Sequence, residues 1–375
     1  MRKHVYRVVA GMLVAATLVT ALATPAAATD RPTRVRAALD RLLREGFPGA
    51  VAYIRDGERV DRMAAGVADL ATGEPATPEH RFRTASNTKA FTATVLLQLE
   101  GEGALSLDDT VERWLPGVVR GNGHAGSRIT LRQLLNHTSG VYDPATTHEF
   151  FRPYLQEKRW WHVIRPREVV RRAMLHEPYF PPGTPGKVKY SNTNYLLAGL
   201  VIEKVTGRPA HVEIDRRILR PLELTETDFP IIDPTLHGRH LRGYDLADPP
   251  NDHTVFSPSY DWTAGAIVST VDDLATFHRA LLGGKLLKPA QQAKLTEVAG
   301  NYGLGVERAP LPCGTAWGNN GSGPGYYSFS LTSQDGQRQI VLALNRFDLS
   351  RDLDGKQAVP GDLLAPLDAL GAALC

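Results

Sequence analysis

Apolar side chains first recur at helical spacing over residues 34–45. Val35, Ala38, Leu39, Leu42 and Leu43 share one side, and Gly46 stops the run. The period then changes. Residues 50–54 and 60–65 read as two short strands, and Asp56-Gly57 between them is a hairpin signal. The far end of the chain repeats the pattern: residues 326–332 and 339–345 flank a second Asp-Gly, Asp335-Gly336. Residues 362–374 read as a closing helix, in which Pro366 is tolerated only near the first turn.

The middle of the chain differs. Over residues 105–255, helical patterns alternate with loops rich in Pro, Gly and His. "LRQLLNHTSGVYD" predicts a helix ending near Asn136, "PREVVRRAMLHE" a second, and "NYLLAGLVIEKVTGRP" a third stopped by Gly207 and Pro209. Strands at both ends with helices between them predict an α+β fold. Its antiparallel sheet is assembled from both chain ends and flanked by helices. The expected domains are a sheet domain from residues 29–104 and 256–375, and a mostly helical insertion over 105–255. There is no internal repeat and no low-complexity tract.

Residues 1–28 read differently from the rest. Arg2, Lys3 and Arg7 precede a largely apolar stretch, and Ala26-Ala27-Ala28 is a small-residue cleavage signal, so a secretory signal peptide cut after Ala28 is expected. The apolar stretch is short for a membrane span, so no stable membrane anchor is expected. The full chain has 43 basic and 40 acidic residues. Three of the basic residues lie in the leader, so the remainder is balanced, which excludes the basic patch a nucleic-acid binder needs. The two cysteines, Cys313 and Cys375, form an even count in a chain expected to be secreted. That favours a disulfide over two free thiols.

Two short patterns could carry chemistry. In "RTASNTKAFTATVLLQLEGEG", Ser86 and Lys89 are three residues apart, so a helix starting there puts both on one face. Phe91, Val95, Leu96 and Leu99 make that helix a buried one, and Gly101 ends it. A serine hydroxyl needs a base to become nucleophilic, and a lysine amine serves when burial lowers its pKa. A helix cap followed by a solvated lysine is the plainer reading of the same residues. In "GKVKYSNTNYLLAGL", Tyr190 and Asn192 point the same way if the segment is extended or tightly turned. A phenol beside an ammonium loses its proton more readily and can shuttle it, and an amide can orient an amide substrate. A turn residue and a helix cap are the plainer reading there.

Other chemistry is poorly supported. The 12 histidines show no His-x-His or His-Glu-x-x-His spacing, so no metal is expected. No cofactor-binding glycine loop opens a helix, and no Gly-x-Ser-x-Gly elbow is present. His137 in "NHTSG" reads as a structural residue after a helix, and Asp143 as a turn former.

Together, Ser-x-x-Lys followed about a hundred residues later by Tyr-x-Asn resembles the serine penicillin-recognising enzymes, which include D-alanyl-D-alanine carboxypeptidases and class C β-lactamases. "ITLRQLLNHTSGVYD", "RPLELTETDF", "DWTAGAIVSTVDDLATFHRALLGGKLL", "YGLGVE" and "GYYSFSLTSQDGQRQIVLALNR" extend the resemblance over nearly all of the chain after the leader. The resemblance implies a secreted acyl-enzyme hydrolase, a monomer acting on peptide or β-lactam substrates. Ser86 would be the nucleophile, Lys89 and Tyr190 the proton relay, and Asn192 the holder of the substrate amide. The backbone N–H groups of Ser86 and Ser322 would form the oxyanion hole, and Tyr260 would line the cleft. One cysteine of the pair also falls where a relative has a disulfide partner.

The third motif departs from the family. Where relatives carry His-Thr-Gly or Lys-Thr-Gly, this chain has Asn319-Asn320-Gly321 followed by Ser322. The expectation is that this segment is an edge strand closing the cleft, bent at Pro324-Gly325. Its backbone would serve, Gly321 would leave room for the substrate to lie against the strand, Asn320 and Ser322 would donate to a substrate carboxylate, and Asn319 would bring no charge. Arg308 is the expected replacement ligand for that carboxylate. The leading expectation is a D-alanyl-D-alanine carboxypeptidase. The alternatives are an esterase or D-amino-acid amidase on the same machinery, and a binding protein that no longer turns substrate over.

Overall fold

A computed structural model of the chain describes residues 31–351, 353–355 and 361–375; the leader at residues 1–28 lies outside the described residues. The chain enters through helix α1 (Arg31–Arg44) and strands β1 (Gly49–Asp56) and β2 (Arg59–Gly66). The elements that matter next are α2 (Thr88–Gly101), α3 (Asn192–Thr206) and α4 (Val271–Leu282). Four strands follow, β3 (Glu307–Leu311), β4 (Gly314–Gly323), β5 (Tyr326–Ser333) and β6 (Arg338–Leu344), and α5 (Gly361–Leu374) closes the chain.

The six strands form one sheet in the order β2-β1-β6-β5-β4-β3. Every pair is antiparallel, and the chain ends meet where Ala50 pairs with Leu344 and Ile54 with Ile340. Both predicted Asp-Gly hairpins are present. Strand β1 is buried on both faces, which period two alone does not show. Ala50, Ala52 and Ile54 pack with Leu39 and Leu42 of α1 and Leu370 and Leu374 of α5. Val51 and Tyr53 face the opposite layer, which holds α2 and α4. There Phe91 stacks on Phe277 with ring centroids 3.5 Å apart. Pro366 falls in the second turn of α5, one turn later than the sequence suggests.

Helix α2 is buried all round, the signature of an interior helix. Two of its buried threonines are paired: Thr92 Oγ1 donates to Thr263 O of a neighbouring turn at 2.7 Å and Thr94 Oγ1 to Ala90 O of its own helix at 2.7 Å. Helix α3 is likewise interior and ends at Gly207, whose φ of +68° is the left-handed cap that a glycine accepts without cost. A disulfide joins Cys313, in the turn between β3 and β4, to Cys375 at the end of α5. Among the described residues, no helix is long and apolar enough to cross a membrane, and no group of His, Cys, Asp and Glu could hold a metal ion.

One strand expectation needs correcting. The Asn319–Gly323 segment belongs to β4, which is not the edge of the sheet; β3 is. Yet β3 pairs with β4 only as far as Gly318, opposite Glu307. Beyond that point β4 pairs with β5 alone, so residues 319–323 keep one side open toward α2. Pro324-Gly325 is the tight turn into β5.

Candidate active site

Ser86 sits in a tight 3-10 turn, Ala85–Asn87, that leads directly into α2. Ala85 before it has a φ of +47°, a left-handed conformation that costs a residue with a side chain about 1 kcal/mol. The turn is pinned from behind. Asn87 Nδ2 donates to Ser328 Oγ at 2.9 Å, Ser328 Oγ donates to Thr84 O at 2.9 Å, and Thr84 N donates to Ile267 O at 2.9 Å. Lys89, in the first turn of α2, therefore comes up beside Ser86 as the three-residue spacing predicts.

Lys89 is fully buried. Its three N–H groups have three acceptors: Ser86 Oγ at 3.0 Å, Asn192 Oδ1 at 2.7 Å and Ala264 O at 2.9 Å. Burial lowers its pKa to about 8, against the opposing fields of Asp261, Asp143 and Glu307. Tyr190 approaches Ser86 from the other side, its hydroxyl donating to Ser86 Oγ at 2.7 Å. Ser86 Oγ thus lies between an amine and a phenol, both within hydrogen-bond distance.

Tyr190 behaves differently from the expectation that an ammonium neighbour would ease its ionisation. Burial drives its pKa well above the ordinary phenol value, and the bond to Ser86 only partly offsets that. The carboxylates of Asp261 and Glu307 push it the same way. Lys89 lies 4.7 Å above the Tyr190 ring centroid and does not bond its oxygen. Of this pair Lys89 is the group whose lowered pKa lets it act as a base, and Tyr190 is a neutral donor.

Two residues the sequence left as structural set this pair in place. His137 is buried, and its Nδ1 accepts from Ser191 N at 3.2 Å. Its ring packs 4.4 Å from that of Tyr190, and burial holds it neutral by pushing its pKa far down. Asp143 does more than form a turn. It is fully buried, and its Oδ2 accepts from Asn192 N at 2.7 Å at the start of α3. Asp143 thus fixes the helix end that aims Asn192 at Lys89.

The cleft above Ser86 encloses about 340 Å³. Tyr190, Asn192, Tyr260, Asn320 and Ser322 line it, as expected. So do Ala145, Thr146, Phe151, Leu349 and Leu353, together with two carboxylates, Asp261 and Glu307. Sequence reasoning missed the acids, because each reaches the cleft only through packing between distant segments. Tyr260 belongs to an aromatic cluster with Phe151, whose ring centroid is 5.1 Å away.

The third segment splits by strand alternation. Asn320 and Ser322 face the cleft, and Asn320 Nδ2 donates to Glu307 Oε2 at 3.0 Å. Asn319 and Gly321 face the protein. Asn319 is buried and donates through Nδ2 to Gly305 O at 3.0 Å, so it is a strand anchor and not a cleft ligand. Gly321 makes room for the nucleophile turn and not, as expected, for the substrate: a Cβ there would sit 2.9 Å from Ser86 N and 2.2 Å from Thr84 O. No larger residue fits without moving the strand.

Arg308 does not reach the cleft. Alternation along β3 sends Glu307 in and Arg308 out, where it is exposed and bonds Gly300 O and Asn301 Oδ1 at 3.4 and 3.3 Å. The group beside Asn320 is thus an acid where a cation was expected. Burial raises the Glu307 pKa to about 7, against the pull of Lys89.

These features agree with what the chain is similar to. A family model described as Beta-lactamase matches residues 32–360. The structure of a D-stereospecific amidohydrolase from Streptomyces sp. is 38% identical, covering 87% of this chain and 99% of that one, with a TM-score of 0.78. A D-amino acid amidase from Ochrobactrum anthropi SV3, complexed with D-phenylalanine, is 26% identical over 91% of this chain and 98% of that one, with a TM-score of 0.78. Protein flp of Staphylococcus aureus (strain COL) is 31% identical over 53% of this chain, which spans only 39% of flp. The chain belongs to the Beta-lactamase family of serine hydrolases.

Proposed function

We propose that this chain is an acyl-enzyme hydrolase that cleaves amide bonds of D-configured residues through Ser86. The observation that carries the reading is the placement of Ser86 Oγ between Lys89 Nζ at 3.0 Å and Tyr190 OH at 2.7 Å. Neutral Lys89 takes the Ser86 proton as Oγ attacks the carbonyl. The developing oxyanion is held by the N–H groups of Ser86 and Ser322. The C–N bond then breaks, and Tyr190 protonates the leaving nitrogen and recovers its proton from the Lys89 ammonium. Water cleaves the Ser86 ester by the same route in reverse, releasing the acid.

Two features favour an amidase over a D-alanyl-D-alanine carboxypeptidase. The cleft lining named above includes Asp261 and Glu307 but no arginine, and Lys89 is already committed to three acceptors. That lining offers no uncommitted cation to a substrate with a free C-terminal carboxylate. The similarity to a D-stereospecific amidohydrolase supports the same choice. Export by the leader at residues 1–28 fits the Cys313–Cys375 disulfide, which belongs to an oxidising compartment.

The test compares turnover of a D-amino-acid amide, its L-enantiomer and a peptide ending in D-Ala-D-Ala. The reading expects the D-amide to be preferred. Strong preference for the peptide with its free carboxylate would return the chain to the carboxypeptidases.

A further inference from the structure

We propose that Asp261 is a binding site for the free ammonium group of the substrate's acyl half, so that the enzyme selects amides and esters of D-amino acids with an unblocked amine. This rests on the amidase reading and specifies what that site recognises. Asp261 lines the Ser86 cleft yet is only 8% exposed. Its Oδ1 is buried and has no hydrogen-bond partner. Burying a carboxylate oxygen without a partner is costly, and such groups are normally paired.

No neighbour supplies the missing partner. Lys89 is the near cation, but its N–H groups go to Ser86, Asn192 and Ala264. The Asp261 backbone carbonyl accepts from Ala264 N at 2.6 Å and Gly265 N at 3.1 Å, which fixes the short helical turn Trp262–Gly265 but leaves Oδ1 unpaired. The carboxylate is held where it is by close packing: a Cβ on Gly265 would fall 1.6 Å from Oδ2. Trp262, the next residue, has a φ of +33°, a strained conformation for a bulky side chain and one that clusters at ligand sites. Burial raises the Asp261 pKa to about 6, opposed by Lys89 and reinforced by Asp143, so the group is ionised at neutral pH.

The chemistry of the substrate assigns the half that carries the ammonium. Asp261 opens the turn that carries Ala264, whose carbonyl Lys89 bonds beside Ser86. The amine of an amino-acid amide belongs to its acyl portion, so an acid in the Ser86 cleft meets that half. Phe151 and Tyr260 line the cleft there and suit an apolar or aromatic side chain. A substrate ammonium would complete Oδ1 with a charge-assisted hydrogen bond.

The experiment measures kcat/KM for D-phenylalanine p-nitroanilide and for 3-phenylpropionyl p-nitroanilide, which lacks only the amine, in the wild type, Asp261→Asn and Glu307→Gln. Ser86 acylation by p-nitrophenyl acetate, read by intact mass, accompanies each protein and shows that it is folded. The wild type should prefer the amine substrate by about tenfold or more. That ratio should collapse to about threefold or less in Asp261→Asn and persist in Glu307→Gln. A wild-type ratio near one, a ratio retained in Asp261→Asn, or a collapse in Glu307→Gln would each overturn the assignment, with Ser86 still acylated. Absence of Ser86 acylation in the wild type would instead remove the amidase reading and the subsite with it.

Discussion

Gly321→Ala should disable the site while leaving the fold in place. The added Cβ would lie 2.2 Å from Thr84 O, 2.9 Å from Ser86 N and 3.1 Å from Ser328 Oγ. An ordinary carbon–oxygen contact needs about 3.2 Å or more, so the strand or the turn must give by about 1 Å. The turn resists, because Thr84 O accepts from Ser328 Oγ and from Asn87 Nδ2, and Thr84 N is tied to Ile267. β4 must therefore swing away, taking the Ser322 N–H from the oxyanion position. A misplacement of about 1 Å costs about 100-fold in rate, and loss of one oxyanion donor costs about 3–4 kcal/mol of transition-state stabilisation. The global cost of overpacking is smaller, about 1–3 kcal/mol. The assay is the single-turnover acylation rate with an activated ester, alongside far-UV circular dichroism and a melting curve. Gly323→Ala is the control, since its Cβ would meet Ala85 Cβ at an ordinary 3.6 Å. A folded Gly321→Ala protein that acylates at the wild-type rate would refute the idea that this strand supplies the oxyanion site.

Three further predictions follow from the same structure. Ser86 acylation by a neutral ester should rise with pH through a midpoint of about 8, because the base must be unprotonated and burial lowers the Lys89 pKa to that value; a rate independent of pH across that midpoint would remove Lys89 as the base. Glu213→Ala should destabilise the protein by about 3 kcal/mol in urea titration, because Glu213 is fully buried and pairs with Arg216 at 2.8 Å and Arg217 at 2.6 Å. Burial alone would raise the Glu213 pKa, but those bonds hold it at about 2, below the ordinary 4.5. Its contribution is thus present above the ordinary value and lost as pH falls toward about 2, so urea midpoints of the wild type and variant should converge on acidification. Reducing the Cys313–Cys375 bond, which closes a 62-residue separation, should cost up to about 4 kcal/mol, read as a lower urea midpoint without loss of Ser86 acylation.

The parts of this protein that could be read from its sequence are those fixed by local signals. The Asp56-Gly57 and Asp335-Gly336 hairpins combine a turn pair with alternating apolar residues, and both turns appear. Ser86 and Lys89 meet because one helical turn brings them together whatever surrounds it. The misreadings lie where distance along the chain is large. Arg308 and Glu307 are adjacent in sequence, but a strand sends neighbours to opposite faces, so a register error of one residue replaces an acid by a base. Asn319 to Ser322 lack strand propensity, and their pairing is imposed by β5 and by the turn that carries Ser86. Asp261 gives no signal of its own, since its burial depends on α2, α3 and the Trp262–Gly265 turn converging. The state of Tyr190 is hidden for a related reason: the sequence places a cation nearby, but burial of the phenol, which depends on the packed cleft, raises its pKa.

The central claim is that Ser86 forms a covalent acyl-enzyme with Lys89 as its base. Intact-mass and peptide-mapping measurement after brief reaction with an activated D-amino-acid ester tests it most directly. The account predicts one acyl group, located on Ser86, absent in Ser86→Ala and formed at least about 100-fold more slowly in Lys89→Ala. Unimpaired turnover of the ester by Ser86→Ala, or an acyl group on another residue, would contradict it.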